Sequence, residues 1–287
     1  MVAAYATKLA CELPETAGRS LSHWFCSEIA STLEAFGIVD SISAETIRRI
    51  LESSKLKPWR VHHWLSAKVP RDEAFRAQTV EICDLYTRQL GAHERVLCAD
   101  EKTSIQPRPR TAATKPARAG NKPVRVEHEY TRAGAVNLLA AFDTRTGEVI
   151  GICRRRKRQV EFMELLEEIE RQTPPNVSTI WIIADNVSVH HGKEVRAWLE
   201  KHPRFQMRFT PVHCSWMNQV EQWFSIVQKK RLAHANFVDL ETLEDRIRAF
   251  ISEWNDQAQP FAWTAKSFEK VLAKCPTTRS PELHLAA

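Results

Sequence analysis

Thr179-Ile-Trp-Ile-Ile-Ala-Asp-Asn186 is an apolar, β-branched run of strand length that stops abruptly at a carboxylate. Its pattern predicts a buried strand over 179–184 with Asp185 at its C-terminal end. Open α/β sheets bind ligands in the crevice beyond the carboxyl ends of their strands, so Asp185 stands where an active-site acid is commonly placed. An aspartate ending one strand says little alone. Its meaning depends on whether other acids converge on it.

Arg95-Val-Leu-Cys-Ala-Asp100 reads as a second short apolar strand ending in an aspartate. Period-2 alternation puts Asp100 and Glu101 on opposite faces, so only one of them points into a given site. Val136–Phe142 and Glu148–Cys153 flank the turn Asp143-Thr-Arg-Thr-Gly147 as a β-hairpin. Val160 to Ile169 is amphipathic, with Phe162, Leu165, Leu166 and Ile169 on its apolar side, and makes a crossover helix. After strand 179–184 follow a helix over 190–200, a strand over 205–210 and a helix over 218–232. This mixed α/β order suits a ribonuclease H-like sheet as well as a generic doubly wound domain.

The 287 residues are 43% hydrophobic, enough for one large domain or a large and a small one. No apolar run approaches membrane-span length and the N-terminus shows no signal-peptide core, so the expectation is a soluble, cytoplasmic protein without a membrane partner. Cysteines at 11, 26, 83, 98, 153, 214 and 275 form no Cys-x-x-Cys pair, which predicts reduced structural thiols rather than a disulfide framework or zinc site. Net charge is +6 and the pI about 9.0, compatible with a polyanionic partner. The distribution of that charge says more than the total.

Residues 22–36 place Phe25, Ile29, Leu33 and Phe36 on one helical face, with Gly37 as a stop. Ser43 is an N-cap candidate for a second helix in which Ile47, Ile50 and Leu51 point inward and Glu45, Arg48 and Arg49 outward. Two short helices joined by a tight turn fit a helix-turn-helix, or an ordinary helical hairpin with solvated arginines. Lys55-Leu-Lys57-Pro-Trp-Arg60 resembles a basic wing. A connecting helix over 72–90 follows, with Phe75, Val80, Ile82 or Cys83, and Leu85-Tyr86 on its apolar side. Residues 103–126 carry Arg108, Arg110, Lys115, Arg118, Lys122 and Arg125, four prolines and no acid. Such a stretch is neither a central strand nor a stable helix, and a loop with charge of one sign is expected to contact a phosphate backbone. Arg154-Arg-Arg-Lys-Arg158 is a second cationic run, either a binding edge or a solvated one.

The third acid is Glu221, in the first turn of a helix whose buried stripe is Val220, Trp223, Phe224 and Val227. Asn218 with Glu221 three residues on also matches a capping box, so local physics alone makes Glu221 a helix cap. His213-Cys214 could suggest a thiol nucleophile, but a structural role is expected. His190 and His191 fit a solvated pair or a supporting contact to the site. Trp216 is a candidate brace for the helix that carries Glu221.

Taken together, several segments resemble the mariner-like DDE transposases of bacterial insertion sequences. These are Leu97-Cys-Ala-Asp-Glu-Lys102, Ile183-Ala-Asp-Asn186 with His190 five after Asp185, and Pro211-Val-His-Cys-Ser-Trp-Met-Asn-Gln-Val-Glu-Gln-Trp-Phe224. His128-Glu-Tyr130, Asp143 to Gly147, Asn255 and Pro260-Phe-Ala-Trp-Thr264 also match. The resemblance runs from about residue 12 to 270, and its Ser-Trp-x-Asn-x-Val-Glu segment is the specific part. It implies a ribonuclease H-like mixed-sheet catalytic domain over 94–275, preceded by a small winged helix-turn-helix domain over 1–70 and a linker helix over 71–93, with a tail over 276–287. It implies a catalytic and metal-holding set of Asp100, Asp185 and Glu221, with Asp100 bridging two ions of Mg²⁺ or Mn²⁺ and Asn186, His190 and Asn218 supporting them.

Two carboxylates about 4 Å apart repel by about 4 kcal/mol at an effective dielectric near 20, so converged acids need cations or a shared proton. Oxygen-only ligands suit Mg²⁺ or Mn²⁺ rather than zinc. The expected partners are double-stranded DNA, as element ends and as target at TA, and a second copy of the chain bridging two ends. DNA contacts are expected from Arg48, Arg49, Lys55, Lys57 and the six cations of 103–126. The family usually carries two helix-turn-helix units, and only the second is recognisable here. A catalytically silent DNA-binding regulator and a stand-alone nuclease of the same fold are the alternatives.

Overall fold

Alternation along Val96–Ala99 sends Val96 and Cys98 to one side of a sheet and Leu97 and Ala99 to the other, all of them fully buried. A strand buried on both faces reads as a continuous apolar run, which is why these segments lack polar alternation. In the computed structural model, residues 1–61, 71–120, 122–263 and positions 266, 269 and 273 are described. Residues 62–70 of the expected winged domain, Thr264, Cys275 and the 276–287 tail lie outside the described residues. The chain divides into two units, Met1–Ser66 and Ala67–Ala287.

The first unit is helical: α1 (Val2–Cys11), α2 (Cys26–Ala35) and α3 (Ala44–Ser53). Ala6, Leu9, Trp24, Ile29, Leu33, Ile47 and Leu51 form its core. Ser43 caps α3, accepting the Thr46 N–H at 3.1 Å. Sequence reading missed α1, and it placed Phe25 and Phe36 on the buried face of α2. Both flank that helix instead and are about half exposed. Residues 54–61 run through turns without a strand, so no part of a wing is described.

The second unit is a five-stranded sheet in the order β3-β2-β1-β4-β5. Its strands are β1 (Glu94–Ile105), β2 (Val136–Asp143), β3 (Val149–Arg154), β4 (Thr179–Ala184) and β5 (Phe205–Phe209). The first three pair antiparallel, whereas β1–β4 and β4–β5 are parallel. One face packs on α4 (Glu73–Thr87), α7 (Gln219–Val227) and α8 (Leu240–Asn255), the other on α5 (Gln159–Gln172) and α6 (Lys193–Lys201). This is the mixed-sheet architecture expected. The residues read as a connecting helix prove to be core: α4 buries Phe75, Ile82, Leu85 and Tyr86, and the Tyr86 hydroxyl donates to the Met217 carbonyl at 2.8 Å.

Two positions already matched in the sequence, Asn255 and the Asp143–Gly147 turn, hold the sheet's edge and hairpin. Asn255 at the end of α8 accepts the Val149 N–H at 2.8 Å and donates to the Val149 carbonyl at 2.9 Å, supplying edge strand β3 with the partner it lacks. The hairpin turn is anchored by buried Asp143, which accepts the Arg145 and Thr146 N–H groups and pairs with Arg95 at 2.7 Å. Gly147 closes that turn at φ +78, and a Cβ there would sit 2.2 Å from the main chain of Gln259.

Candidate active site

The strand expected to end at Asp100 runs on to Ile105, a difference with a simple cause. Pairing of β1 with β4 stops at Cys98, but pairing with β2 continues through Asp100, Glu101 and Lys102 to Ile105. The apolar run ends where β1 loses a neighbour on one side, and the ladder does not. Asp100 therefore lies just past the end of the parallel pair, on the face of Val96 and Cys98 against which α7 packs. Asp185 directly follows the last residue of β4.

Glu221 sits in the first turn of α7, but no capping box forms. Asn218 makes no side-chain cap bond. Its amide donates instead to the Ala99 carbonyl at 3.0 Å and to Asp100 Oδ2 at 3.4 Å. The residue that would have made Glu221 a cap partner is thus turned onto β1, and the start of α7 is tied to the strand bearing Asp100. Glu221 is half-buried.

The three acids sense one another. Burial pushes the Asp100 carboxyl up to about 7, the Glu101 N–H opposes the rise, and the charges of Asp185 and Glu221 add to it. Burial also raises Glu221, with Lys102 opposing and Asp185 adding. Lys102, on the same face of β1 as Asp100, is itself lowered by burial, Glu221 opposing. Asp185 is lowered, chiefly by His190.

Of the two readings open for His190, a solvated position does not hold: it is completely buried, with its ring 4.4 Å from that of Phe162. Its Nε2 lies 2.8 Å from Glu101 Oε1 and its Nδ1 2.8 Å from Asp185 Oδ1. Burial alone would lower this imidazole, yet the Asp185 and Glu101 carboxylates outweigh it and raise it to about 10. Nδ1 also lies 3.1 Å from the Asp185 carbonyl, toward which the ring N–H is directed, so Asp185 Oδ1 remains buried with no aligned donor. Sequence reasoning assigned Glu101 to the far face and gave it no part.

The other expected residues are spread more widely. Asn186 is exposed on the rim of a concavity shared with Val187 and Thr210–Ser215. Trp216 is 44% exposed, whereas Cys214 is buried. Along 103–126 the chain doubles back through isolated bridges Lys115↔Arg125 and Arg118↔Lys122, turning at Gly120. Lys115, Arg118, Lys122 and Arg125 are exposed and line one concavity. Arg108 stacks over Tyr130 and Arg110 donates to the Glu127 carbonyl, so these two are already engaged. In the first unit Arg48 pairs with Glu45 and Glu52, and Arg49 with Glu45 at 3.1 Å, while Lys55 and Lys57 are exposed. Of 154–158, Arg154, Arg155 and Arg158 are paired with Glu164, Glu244 and Glu161.

A hard divalent cation fits the donors present. They are the carboxylate oxygens of Asp100, Asp185 and Glu221, Asn218 Oδ1 is buried without a donor, and Asp100 is driven toward its neutral form by burial, to which the charges of Asp185 and Glu221 add. Among the described residues no three His, Cys, Asp or Glu side chains converge on one common point. That leaves two carboxylates at most per ion, with the remaining positions open to water or phosphate, the way Mg²⁺ is usually bound.

The family model described as DDE superfamily endonuclease matches residues 95–244. An insertion element IS630 uncharacterized 39 kDa protein of Shigella sonnei is 32% identical over 85 residues, 30% of this chain. That match spans about a quarter (24%) of the relative's length. Among solved structures, the mariner Mos1 paired-end complex with Mg is similar at a TM-score of 0.56 and 16% identity, covering 95% of this chain and 78% of that one. The corresponding complex with Mn gives a TM-score of 0.51 at 15% identity, covering 95% and 75%. No helix of the described residues is long and apolar enough to cross a membrane.

Proposed function

From the premise that this chain belongs to the DDE superfamily of endonucleases, whose model takes in residues 95–244, we propose that it is a divalent-metal-dependent DNA transposase. It cuts the ends of its own element and joins them to target DNA at TA, working as a dimer that bridges two ends. The observation that carries this reading is the mutual influence of Asp100, Asp185 and Glu221, with Asn218 turned away from the cap and onto Asp100.

Asp100 would be shared between two Mg²⁺ or Mn²⁺ ions, Asp185 would complete one and Glu221 the other. What such ions supply when bound is activation of a water or a DNA 3′-hydroxyl and stabilisation of the leaving oxygen in an in-line displacement at phosphorus. The chain's own part is to hold charge and position. Asp100 sits on a strand paired with β2, and Asn218 ties its carboxylate to the start of α7. Lys102 places a cation beside Glu221 and limits the negative potential there. Lys115, Arg118, Lys122 and Arg125 offer four exposed cations for a phosphate backbone, a contact that weakens steeply as salt is raised. Arg48 and Arg49 are already paired with acids, so the first unit's contribution to DNA binding falls more to Lys55 and Lys57.

Joining separates this reading from its neighbours. A pre-cut duplex ending in the element's terminal repeat, incubated with a supercoiled plasmid and Mg²⁺ or Mn²⁺, is expected to give insertions flanked by TA when junctions are sequenced. Cutting without joining would overturn the reading in favour of a nuclease of the same fold. Salt-sensitive binding with neither would do so in favour of a silent regulator.

A further inference from the structure

Glu101 lies on the face of β1 away from Asp100, yet its side chain is 6% exposed and reaches the imidazole of fully buried His190. A carboxylate taken out of water is costly unless it is paired, and an apolar residue in its place would pack against Phe162 and its neighbours without that cost. Buried ion pairs are in general weak contributors to stability, so the pair has no evident reason to exist for stability alone.

The geometry gives it another reason. One ring spans two carboxylates, with Nε2 at 2.8 Å from Glu101 and Nδ1 at 2.8 Å from Asp185 Oδ1 and 3.1 Å from the Asp185 main-chain carbonyl. The ring thus touches both the side chain and the backbone of Asp185. Asp185 needs such a hold. It stands one residue past the end of β4 and outside every strand-pairing register, whereas Asp100 is fixed by its ladder with β2. Because β4 stops at Ala184, a side chain from the far face of β1 can act around the end of the shorter strand. His190, packed against Phe162, links that face to Asp185.

We infer that Glu101 is a positioning residue: through His190 it fixes the Asp185 carboxylate in the orientation in which that acid helps to hold a divalent cation. This rests on the metal-holding reading of Asp100, Asp185 and Glu221. Carboxylates that orient a group behind a metal ligand commonly contribute 10- to 100-fold in metal affinity.

The test uses the full chain without DNA, and Mn²⁺ alone as the probe, its free fraction followed by electron paramagnetic resonance. Two conservative variants separate reach from charge. Glu101→Gln keeps an acceptor at the same reach and is expected to bind Mn²⁺ within about threefold of the unaltered protein. Glu101→Asp keeps the charge but is one methylene short of His190, and is expected to lose about 10-fold or more. His190→Asn is expected to lose as much, and the double variant Glu101→Asp/His190→Asn no more than either alone, because the two act as one unit. Proton–nitrogen spectra of the metal-free protein supply an independent readout. A slowly exchanging imidazole N–H signal is expected that disappears in His190→Asn and in Glu101→Asp but persists in Glu101→Gln. Unchanged Mn²⁺ affinity in Glu101→Asp, or additive losses in the double variant, would overturn the inference. Failure of the unaltered protein to bind Mn²⁺ would overturn the metal reading itself, and the two failures are told apart by that first measurement.

Discussion

Asp100→Asn is expected to lower metal-dependent strand cleavage by about 10³-fold or more while making the metal-free protein harder to unfold above pH 7. The loss follows from removing the one carboxylate that both ions would share. The gain follows from the site's own electrostatics. Folding raises the Asp100 carboxyl from its ordinary 3.8 to about 7, chiefly by burial. Between those values the folded chain holds a proton that the unfolded chain has released. Stability therefore falls as pH rises from about 4 to about 7 and stays reduced above. A three-unit rise corresponds to about 4 kcal/mol. Asparagine has no proton to lose and escapes that penalty, so the gap between variant and unaltered protein should be small at pH 5 and largest at pH 8. Thermal melts in EDTA at the two pH values measure it. A variant that is no more stable at pH 8 than at pH 5, relative to the unaltered chain, would contradict the account of Asp100.

Binding of Mg²⁺ or Mn²⁺ reverses the same penalty, which gives the second large effect. Metal at about 100 times its dissociation constant stabilises the folded state by about 2.7 kcal/mol. For a unit of this size that is a rise in melting temperature of roughly 5–10 °C. Asp100 must release its proton to accept the metal, and Glu221, also raised by burial, shifts in the same direction. The metal-induced rise should therefore be larger at pH 8 than at pH 6, with apparent affinity falling about tenfold for each pH unit below 7. Asp100→Asn and Glu221→Gln should each flatten this dependence. Melts with EDTA and with saturating Mg²⁺ at pH 6, 7 and 8 test it, and a rise that is the same at every pH would count against a metal that displaces a proton from Asp100.

What the sequence made legible followed from periodicity. Thr179–Ala184 is a strand because its run of Ile and Trp is buried on both faces, and Val220, Trp223, Phe224 and Val227 form a buried stripe because they recur at helical spacing. Periodicity says nothing about where a ladder ends, so β1 was expected to stop at Asp100 when β2 carries it to Ile105. It sorts residues by face but not around the end of a short strand, which is why Glu101 was set apart from a site it reaches through His190. The resemblance singled out His190, five after Asp185, from His191 beside it, but its burial against Phe162 shows only in the packing. Capping is decided by where one amide points. The Asn218-x-x-Glu221 spacing permitted a box, and the amide of Asn218 went to Ala99 and Asp100 instead. Helices α1 and α8 escaped notice, the first buried through little more than Ala6 and Leu9 and the second through Leu243 and Ile247.

The acid the sequence pointed to first, Asp185, also offers the most direct test that the three carboxylates act as one metal-holding set. Cleavage of duplex DNA carrying the element's ends should be measured with Mg²⁺ or Mn²⁺, with EDTA, and with Asp185→Ala in the presence of metal. Cleavage by the unaltered chain with metal only, and none by Asp185→Ala, is the predicted result. Full cleavage by Asp185→Ala would contradict it.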